Sequence, residues 1–241
     1  MHDYFGEEVA ARYDASSAGE FAPEVIDPIV SFLAALAGDG AALEFGIGTG
    51  RIALPLASRG VAVSGIELSE AMAARLRAKP GGADIPVAIG DFSSTRVAGE
   101  FQLVYLVFNT IGNLTTQALQ VACFANAAAH LRPGGTFVIE VGIPDLQRLP
   151  PGETVIPFHV GSDHVGFDEY DVANQGLVSH HLEITPDGRA IRGSIPFRYA
   201  WPAEFDLMAL LAGMTLRERW SGWRREPFTS ASRKHVSVWA K

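Results

Sequence analysis

Between residues 23 and 141 the chain alternates segments of helical periodicity with short apolar runs typical of buried strands. An amphipathic helix beginning near Pro23 is predicted by the spacing of Val25, Ile29, Phe32, Leu33 and Leu36. Five apolar runs then follow, most of them separated by helical segments, at residues 41–45, 61–67, 87–89, 101–108 and 136–141. Strands that alternate with helices form right-handed crossovers and a parallel sheet. The pattern therefore predicts a doubly wound α/β domain.

After residue 141 the pattern changes to consecutive strands. Four segments have the composition of strands, at residues 153–160, 164–172, 176–186 and 190–200. Turn sequences such as "ANQG" and "PDGR" lie between them. A helix and two terminal strands follow, at residues 202–213, 216–220 and 236–239. We therefore predict an antiparallel insert at residues 151–200. It would follow the fifth strand of a mostly parallel, seven-stranded sheet whose domain comprises residues 1–150 and 201–241.

Composition limits the classes of function. A chain of 241 residues with 48% hydrophobic residues can form a full core. Its net charge of −8 and pI of about 5.3 are unfavourable for binding a phosphate backbone, so we expect no nucleic-acid partner. The single cysteine, Cys123, has no partner for an intrachain disulfide. The start of the chain does not resemble a signal peptide, and no apolar run is long enough to span a membrane. We expect a cytoplasmic protein.

The stretch "LEFGIGTG", residues 43–50, places three glycines at alternate positions between a strand and a helix. Glycine is needed where φ is positive or where the backbone approaches a ligand closely. The spacing of Gly46, Gly48 and Gly50 differs from the G-x-G-x-x-G pattern of dinucleotide sites. In that pattern the third glycine would fall at Arg51. The loop therefore indicates a ligand other than a dinucleotide.

Two acidic residues narrow the choice of ligand. Glu44, two residues before the first glycine, would repel a pyrophosphate but suits a ligand that carries an ammonium group. Glu67 ends the second strand, where a carboxylate can accept both hydroxyl groups of a ribose. A ribose joined to a cationic amino-acid end describes S-adenosylmethionine, which we predict as the cofactor.

Four segments in order resemble the motifs of the class I S-adenosylmethionine-dependent methyltransferases. They are "LEFGIGTG", "GIELSEAM", "GDF" and "LRPGG" before "TFVIEV". The resemblance covers residues 41–141 and returns in the terminal helix and strand pair. It implies a Rossmann-like fold and an enzyme that transfers a methyl group. The residues that it assigns to the cofactor site are Tyr13, Glu44, Gly46, Gly48, Gly50, Glu67, Leu68, Asp91, Phe92 and Phe108.

The resemblance also implies individual roles. The three glycines would line the methionine moiety, and Glu67 would hold the ribose. Asp91 and Phe92 would meet the adenine amine and ring. Tyr13, in the amino-terminal segment "EEVAARYD", would close over the cofactor as part of a lid. Arg51 is expected instead to be a charged residue on the helix surface.

We expect the insert to determine the substrate, because fold cores seldom supply specificity. The layout is similar to that of small-molecule methyltransferases acting on amino sugars and other natural products. The sequence "FNTIGNL" after the fourth strand lacks the Asn/Asp-Pro-Pro-aromatic motif of enzymes that methylate DNA bases. The candidate substrate residues are Asn109, Asn113, Phe158 and Tyr170.

His180 is the candidate catalytic base. A hydroxyl substrate would need a base that titrates near neutral pH, whereas an amine substrate would need none beyond water. His180 shares a strand face with apolar residues, which we interpret as the side toward the substrate. Neighbouring strand residues point to opposite faces, so His180 and His181 cannot bind one ion together, and we predict no metal.

The favoured function is transfer of a methyl group from S-adenosylmethionine to N or O of a small molecule. An aminopropyl transferase is a second possibility, but it would require a carboxylate-rich cleft near the fourth strand, which "VYLVFNTIGNL" does not provide. A non-catalytic binding or scaffold protein with the same fold is the third. The acids at 67 and 91 argue against a degenerate site. We expect no membrane partner, and a homodimer is an open possibility.

Overall fold

The computed structural model describes residues 4–16, 18–185 and 187–241, and across these ranges the backbone forms a seven-stranded and a four-stranded sheet. The α-helices are α1 (Glu7–Ser16), α2 (Pro23–Ala37), α3 (Ala53–Ser58), α4 (Glu70–Arg77), α5 (Gln117–His130) and α6 (Pro202–Leu211). The strands are β1 (Ala42–Phe45), β2 (Val63–Glu67), β3 (Val87–Ile89), β4 (Phe101–Leu106), β5 (Leu131–Gly142), β6 (Val155–Val160), β7 (His164–Asp171), β8 (Gly176–Ile184), β9 (Ala190–Arg198), β10 (Thr215–Trp220) and β11 (Lys234–Ala240).

The larger sheet confirms the predicted mostly parallel arrangement. Its strand order is β10-β11-β5-β4-β1-β2-β3. The pairs from β5 to β3 are parallel, and β11 is antiparallel to both of its neighbours. The strand order reverses between β1 and β4, because the chain builds outward to β3 and then returns to the other side of β1. In open α/β sheets, ligands bind beyond the carboxyl ends of the strands at such a reversal.

Helices pack on both faces of this sheet. On one face the rings of Phe124, Phe137 and Trp239 meet with centroid separations of 5.1, 5.2 and 6.1 Å. On the other face Leu33 of α2 belongs to the same buried cluster as Tyr105 of β4. All five side chains are fully buried, so the sheet is a rigid support for the loops at its carboxyl edge.

The ends of several elements are set by capping residues or turns, and some differ from the predicted ends. Ser69 and Thr116 cap α4 and α5, since their hydroxyls accept hydrogen bonds from backbone N–H groups three residues later. β4 ends two residues before the predicted end, because Phe108 has a positive φ of 59° and turns the chain. β5 begins five residues earlier than predicted. The predicted end of the third insert strand, Pro186, lies outside the described residues.

The four-stranded sheet is an antiparallel meander of order β6-β7-β8-β9. Arg198, the last residue of β9, joins it to the larger domain. The buried Arg198 guanidinium donates hydrogen bonds to Gln120 of α5 at 2.6 Å, to Glu204 of α6 at 2.6 Å and to Gln175 before β8 at 2.9 Å. This polar junction fixes the base of the small sheet relative to the helices.

Gly50 lies where helices pack together and does not line the cavities described below, so its assignment to the cofactor site stays a prediction. Its φ is +84°, and a Cβ there would overlap Leu76 of α4 and come within 3.1 Å of Leu54 in α3. The third glycine of the motif is therefore required by close packing of α3 against α4.

We expect Gly50→Ala to lower the free energy of unfolding by about 2–4 kcal/mol, because left-handed backbone strain and overpacking add. Gly60→Ala is the matched control. Gly60 has a similar φ of +89°, but nothing lies within 4 Å of a Cβ there, so only about 1–2 kcal/mol should be lost. Urea denaturation of both variants measures the difference. Equal losses would show that Leu76 does not exclude a side chain.

Candidate active site

The loop after β1 turns at Gly46 and Gly48, whose φ angles are +67° and +56°. A Cβ on Gly46 would lie 2.8 Å from Cγ2 of Thr110, so a side chain would not fit without displacement. Both glycines therefore present bare backbone at the carboxyl end of β1. Bare backbone of this kind is what the spacing of the glycines predicted, because it leaves room for a ligand to approach closely.

The carboxylate of Glu67, at the end of β2, holds this loop in place. Its Oε2 accepts a hydrogen bond from the backbone N–H of Gly48 at 2.7 Å, and its Oε1 accepts one from that of Ser69 at 2.9 Å. The side chain is buried. Glu67 therefore links the glycine loop to the start of α4 and forms part of a cavity wall.

Two small cavities adjoin at the glycine loop and share Tyr13, Gly46, Gly48 and Thr110 in their walls. We call them together the glycine-loop cavity. Its other lining residues are Tyr4, Phe5, Glu44, Ile47, Thr49, Arg51, Ile52, Glu67, Leu68, Met72, Phe92, Val107, Phe108 and Asn113. Of the ten residues assigned to the cofactor, only Gly50 and Asp91 do not line this cavity.

Aromatic residues of the amino-terminal segment cover the cavity. Phe5 and Tyr13 meet edge to face with ring centroids 6.3 Å apart. The carbonyl oxygen of Phe5 accepts a hydrogen bond from the hydroxyl of Ser69 at 2.7 Å, which ties the segment to the start of α4. The predicted lid position of Tyr13 matches this placement, although its contact with a cofactor stays a prediction.

Asp91 lies in the turn after β3. Its Oδ1 accepts a hydrogen bond from the backbone N–H of Ser93 at 2.8 Å, and its carbonyl oxygen accepts one from Thr95 at 2.7 Å. The neighbouring Phe92 reaches the glycine-loop cavity and packs against Phe45, with ring centroids 5.8 Å apart. The structure thus brings Phe92 to the cavity, whereas the assigned contact of Asp91 with adenine stays a prediction.

Glu44 is an almost fully buried acid at the floor of the cavity. Its Oε2 accepts a hydrogen bond from the hydroxyl of Tyr105 at 2.8 Å. Burial raises the pKa of Glu44 to about 8, and this effect outweighs the hydrogen bond from Tyr105 and the positive charge of Arg51. In the cofactor-free protein this carboxyl group therefore keeps its proton at neutral pH. A cation bound beside it would favour ionisation.

Arg51 lines the same part of the cavity, so its interpretation as a charge on the helix surface is wrong. Its side chain is only 9% exposed, and it donates a hydrogen bond to the carbonyl oxygen of Glu20 at 3.1 Å. The guanidinium carbon lies 4.9 Å from the ring centroid of Phe108. The cavity therefore combines a neutral acid, Glu44, with a fixed positive charge.

Phe108 and Asn109 form a turn with unusual backbone conformation after β4. Both have φ of about +59°, which a bulky residue rarely adopts. The backbone N–H of Phe108 donates to Oε2 of Glu140 at 3.2 Å, and Oδ1 of Asn109 accepts a hydrogen bond from the backbone N–H of Gly142. Strained backbone of this kind persists where the surroundings hold it, and it is frequent at functional sites.

A second space, the insert cleft, lies between this turn and the four-stranded sheet. Its volume is about 400 Å³, within the range of small-molecule sites. Its walls are formed by Asn109, Gly112, Val141, Gly142, Ile143, Pro144, Asp145, Asp168, Tyr170, Leu177, Ser179, Phe197, Arg198 and Tyr199. Strands from both sheets therefore enclose it.

The four candidate substrate residues fall in three different places. Asn109 and Tyr170 line the insert cleft, whereas Asn113 lines the glycine-loop cavity. Burial raises the pKa of Tyr170 to about 12, so its hydroxyl stays protonated. Phe158 lies on β6 beside the imidazole of His181, with ring centroids 5.3 Å apart, and lines neither space. The structure thus groups two of the four in the insert cleft.

His180 points away from the insert cleft, so its selection as a base is corrected. Leu177 and Ser179 of β8 line the cleft, and alternate residues of a strand face the opposite side. The His180 ring stacks on Phe167 and its nitrogens lie 2.8 Å from Oγ of Ser194 and 3.2 Å from Oε2 of Glu169. The apolar residues that share a face of β8 with His180, which the sequence predicts as the side toward the substrate, lie on the outer face of the small sheet.

The remaining insert histidines stack on one another. The rings of His159, His164 and His181 form a stack, and Nε2 of His164 lies 3.0 Å from Nδ1 of His181. In the part of the chain that the structure describes, no three histidine, cysteine or acidic side chains are arranged to bind a metal ion. None of the described helices has the length and apolar character needed to span a bilayer.

Comparison with known proteins identifies the family. A family model described as a methyltransferase domain matches residues 42–135. The solved structure of the CcbJ methyltransferase from Streptomyces caelestis is 36% identical to this chain, with a TM-score of 0.87 and coverage of 99% of this chain and 98% of that chain. The chain belongs to the class I S-adenosylmethionine-dependent methyltransferases. This methyltransferase therefore uses S-adenosylmethionine as its methyl donor, as predicted.

Two curated relatives of the methyltransferase carry more specific names. The cypemycin N-terminal methyltransferase from a Streptomyces species is 27% identical over 201 residues, which are 81% of each chain. The dTDP-3-amino-3,4,6-trideoxy-alpha-D-glucopyranose N,N-dimethyltransferase from Streptomyces venezuelae is 32% identical over 141 residues, which are 58% of this chain and 53% of that protein. The second name describes methylation of nitrogen, and the first places the methylation at the amino terminus of its substrate.

Sequence reasoning missed three features of the methyltransferase site. Arg51 directly follows the glycine motif, and that position could have indicated a cavity residue. Tyr4 and Phe5 precede the predicted lid segment, and their aromatic character was a usable signal. Glu140, which holds the turn at Phe108, is a lone acid in an apolar strand. Acids in such strands require a partner, and this rule could have drawn attention to it.

We expect Glu44→Gln to become more stable relative to the wild type as pH rises from 4.5 to about 8. Because the folded pKa lies above the unfolded one, the native protein keeps a proton that the unfolded chain loses, and wild-type stability falls across this window. Glutamine does not titrate. The relative gain should be at least ~1 kcal/mol, since one pKa unit corresponds to about 1.4 kcal/mol. Urea denaturation of the cofactor-free proteins measures it, and a difference independent of pH would contradict the raised pKa.

Proposed function

We propose that this methyltransferase methylates an amine nitrogen of a small molecule bound in the insert cleft. The observation that carries the proposal is the turn after β4, where Phe108 lines the glycine-loop cavity and the next residue, Asn109, lines the insert cleft. A cofactor in one space and a substrate in the other would therefore meet across a single turn of backbone. The amino-sugar N,N-dimethyltransferase among the curated relatives supports the choice of an amine.

The residues of the glycine-loop cavity fit S-adenosylmethionine. Glu44 would bind the ammonium group of the methionine end, and Arg51 would bind its carboxylate. Glu67 would accept the ribose hydroxyls, and Leu68 and Phe92 would pack on the adenine ring. Gly46 and Gly48 would allow the cofactor to approach the backbone, since a side chain at Gly46 has no room. This arrangement places a carboxyl group, Glu44, and a guanidinium group, Arg51, at one end of the cavity and apolar surface at the other.

The bound cofactor supplies a methyl group on a positively charged sulfur. The protein then has to orient the acceptor and exclude water. Phe108 and Thr110, on either side of Asn109 in the chain, line the glycine-loop cavity, and Tyr4, Phe5 and Tyr13 line it from the amino-terminal segment. An amine with a free lone pair needs no protein base, which is consistent with the position of His180 on the outer face of its sheet.

Residues 151–200 would then cover the substrate. We propose this role for the insert because cleft residues Asp168, Tyr170, Leu177, Ser179 and Phe197 all come from it. A small molecule fits the enclosed cleft better than a nucleic acid does, in agreement with the net charge of −8. Association of two copies stays a prediction, which sedimentation at micromolar concentrations would test.

Calorimetry with S-adenosylmethionine and its demethylated product, S-adenosylhomocysteine, tests the cofactor site directly. We expect both compounds to bind with one-to-one stoichiometry. Transfer of a radiolabelled methyl group to a panel of small amines then tests the activity. Failure of both compounds to bind would overturn the proposed function, whatever the result with the amines.

Glu67→Gln should weaken the binding of S-adenosylmethionine roughly 10- to 100-fold, because an ionised acceptor of the ribose hydroxyls is replaced by a neutral amide. Glu70→Gln is the matched control, since Glu70 is an exposed acid at the start of α4 and lines neither space. Its affinity should equal that of the wild type. If Glu67→Gln bound the cofactor as tightly as Glu70→Gln does, the ribose assignment would fail.

A further inference from the structure

The insert cleft contains one acid whose charge the protein does not neutralise. Three charged residues line the cleft, namely Asp145, Asp168 and Arg198. Asp145 pairs with Arg148 at 2.9 Å and with Arg233 at 3.3 Å. These contacts compensate the charge of Asp145.

Arg198 is compensated as well. Its guanidinium lies 2.6 Å from Oε1 of Glu204 and donates to the amide oxygens of Gln120 and Gln175. The arginine is therefore committed to the junction between the small sheet and the helices. It has no remaining charge to offer an acid across the cleft.

Asp168 differs from both of these residues. Among the described residues, Asp168 forms no ion pair with a lysine or an arginine. Burial raises the pKa of Asp168, and a hydrogen bond from Ser179 and the nearby imidazoles of His181 and His180 partly oppose this effect. His181 is not a permanent cation, because burial and the neighbouring His164 lower its pKa. A half-buried carboxylate thus faces a cleft of about 400 Å³ without a matching positive charge.

The surroundings of Asp168 suit a cation. Ser179 lies opposite Asp168 on the neighbouring strand, and Tyr170 lies two residues further along the same face of β7. All three line the cleft. Hydroxyl groups beside a carboxylate can share the hydrogen bonds of an ammonium group, which carries up to three donors. A neutral hydroxyl in the same place would leave the carboxylate uncompensated.

We propose that Asp168 determines substrate specificity by binding the substrate as an aliphatic amine in its ammonium form. The inference rests on the proposed function and adds the class of acceptor that the cleft selects. Binding as an ammonium ion brings the nitrogen into the cleft, and loss of one proton to water then frees the lone pair. A site built around an acid discriminates strongly against the hydroxyl isostere, because that isostere leaves the buried acid unpaired.

Asp168→Asn and Glu169→Gln form a matched pair of variants for the test. Both replace one acid of β7 by its amide, but Glu169 contacts His180 on the outer face, away from the cleft. Acceptor probes are pairs of small molecules that differ only in an amine or a hydroxyl at one position, such as methyl 3-amino-3-deoxyglucoside and methyl glucoside, or alanine methyl ester and lactate methyl ester. Calorimetry measures the affinity for S-adenosylmethionine, and radiolabelled methyl transfer measures kcat and KM for each acceptor.

We expect the wild type to methylate amine members and not their hydroxyl partners. Asp168→Asn should lose roughly 10- to 100-fold in kcat/KM for the amines, mainly through a higher KM, as expected for a lost charge-assisted contact. Its affinity for S-adenosylmethionine should be unchanged. Glu169→Gln should match the wild type in both measurements. Asp168→Glu, which keeps the charge, should recover part of the activity and thereby separate charge from folding.

An Asp168→Asn variant as active toward the amines as Glu169→Gln would overturn the inference while the proposed function stands. Binding of the cofactor without methylation of any amine, or methylation of hydroxyl members in preference to amines, would overturn the inference and the choice of an amine in the proposed function together. A loss in Asp168→Asn that is accompanied by weaker cofactor binding or a lower unfolding midpoint, and not relieved in Asp168→Glu, would show a structural role and also overturn the inference. Absence of cofactor binding in the wild type would instead overturn the proposed function.

Discussion

The carboxylate of Glu140 holds together the part of the molecule on which both binding spaces depend. It accepts hydrogen bonds from the backbone N–H of Phe108 at 3.2 Å, from Nε1 of Trp223 at 2.9 Å and from Nζ of Lys234 at 2.8 Å. Two consecutive residues in left-handed conformation, Phe108 and Asn109, cost roughly 1–3 kcal/mol each. Donors from three separate segments offset that cost. The turn can therefore direct one side chain into the glycine-loop cavity and the next into the insert cleft.

Burial gives one acid of the two spaces, Glu44, a different charge from the one that the sequence suggests. Glu44 is held neutral at the floor of the glycine-loop cavity, whereas Glu67 is occupied by backbone N–H groups. Asp168 keeps its carboxylate beside hydroxyl groups in the insert cleft. Each space therefore contains a carboxyl group, Glu44 or Asp168, whose ionised form a cationic ligand would stabilise. The protein thus stores little repulsion between acids while the spaces are empty.

The sequence predicts most of the fold because periodicity and turn residues are local signals. The parallel strands and the hairpins of the insert follow from them. The orientation of the small sheet does not, since it depends on the junction at Arg198, whose partners lie up to 78 residues away. His180 was assigned to the wrong face of the small sheet because the sequence does not predict the contacts of Arg198. Arg51 was misplaced for a related reason, because tertiary packing decides which neighbour of a glycine loop is buried.

The small sheet is held to the rest of the molecule mainly at one end. The buried Arg198 junction lies at the base of β8 and β9, whereas near the outer hairpin turns Glu183 of β8 forms an exposed ion pair with Arg12 of α1 at 3.3 Å. Insertions, deletions or exchanges in those outer hairpins would leave both the junction and the cofactor residues untouched. Related enzymes could therefore change the part of the small sheet that covers the acceptor by small steps. They could acquire new acceptors in this way while the residues that bind the methyl donor stay the same.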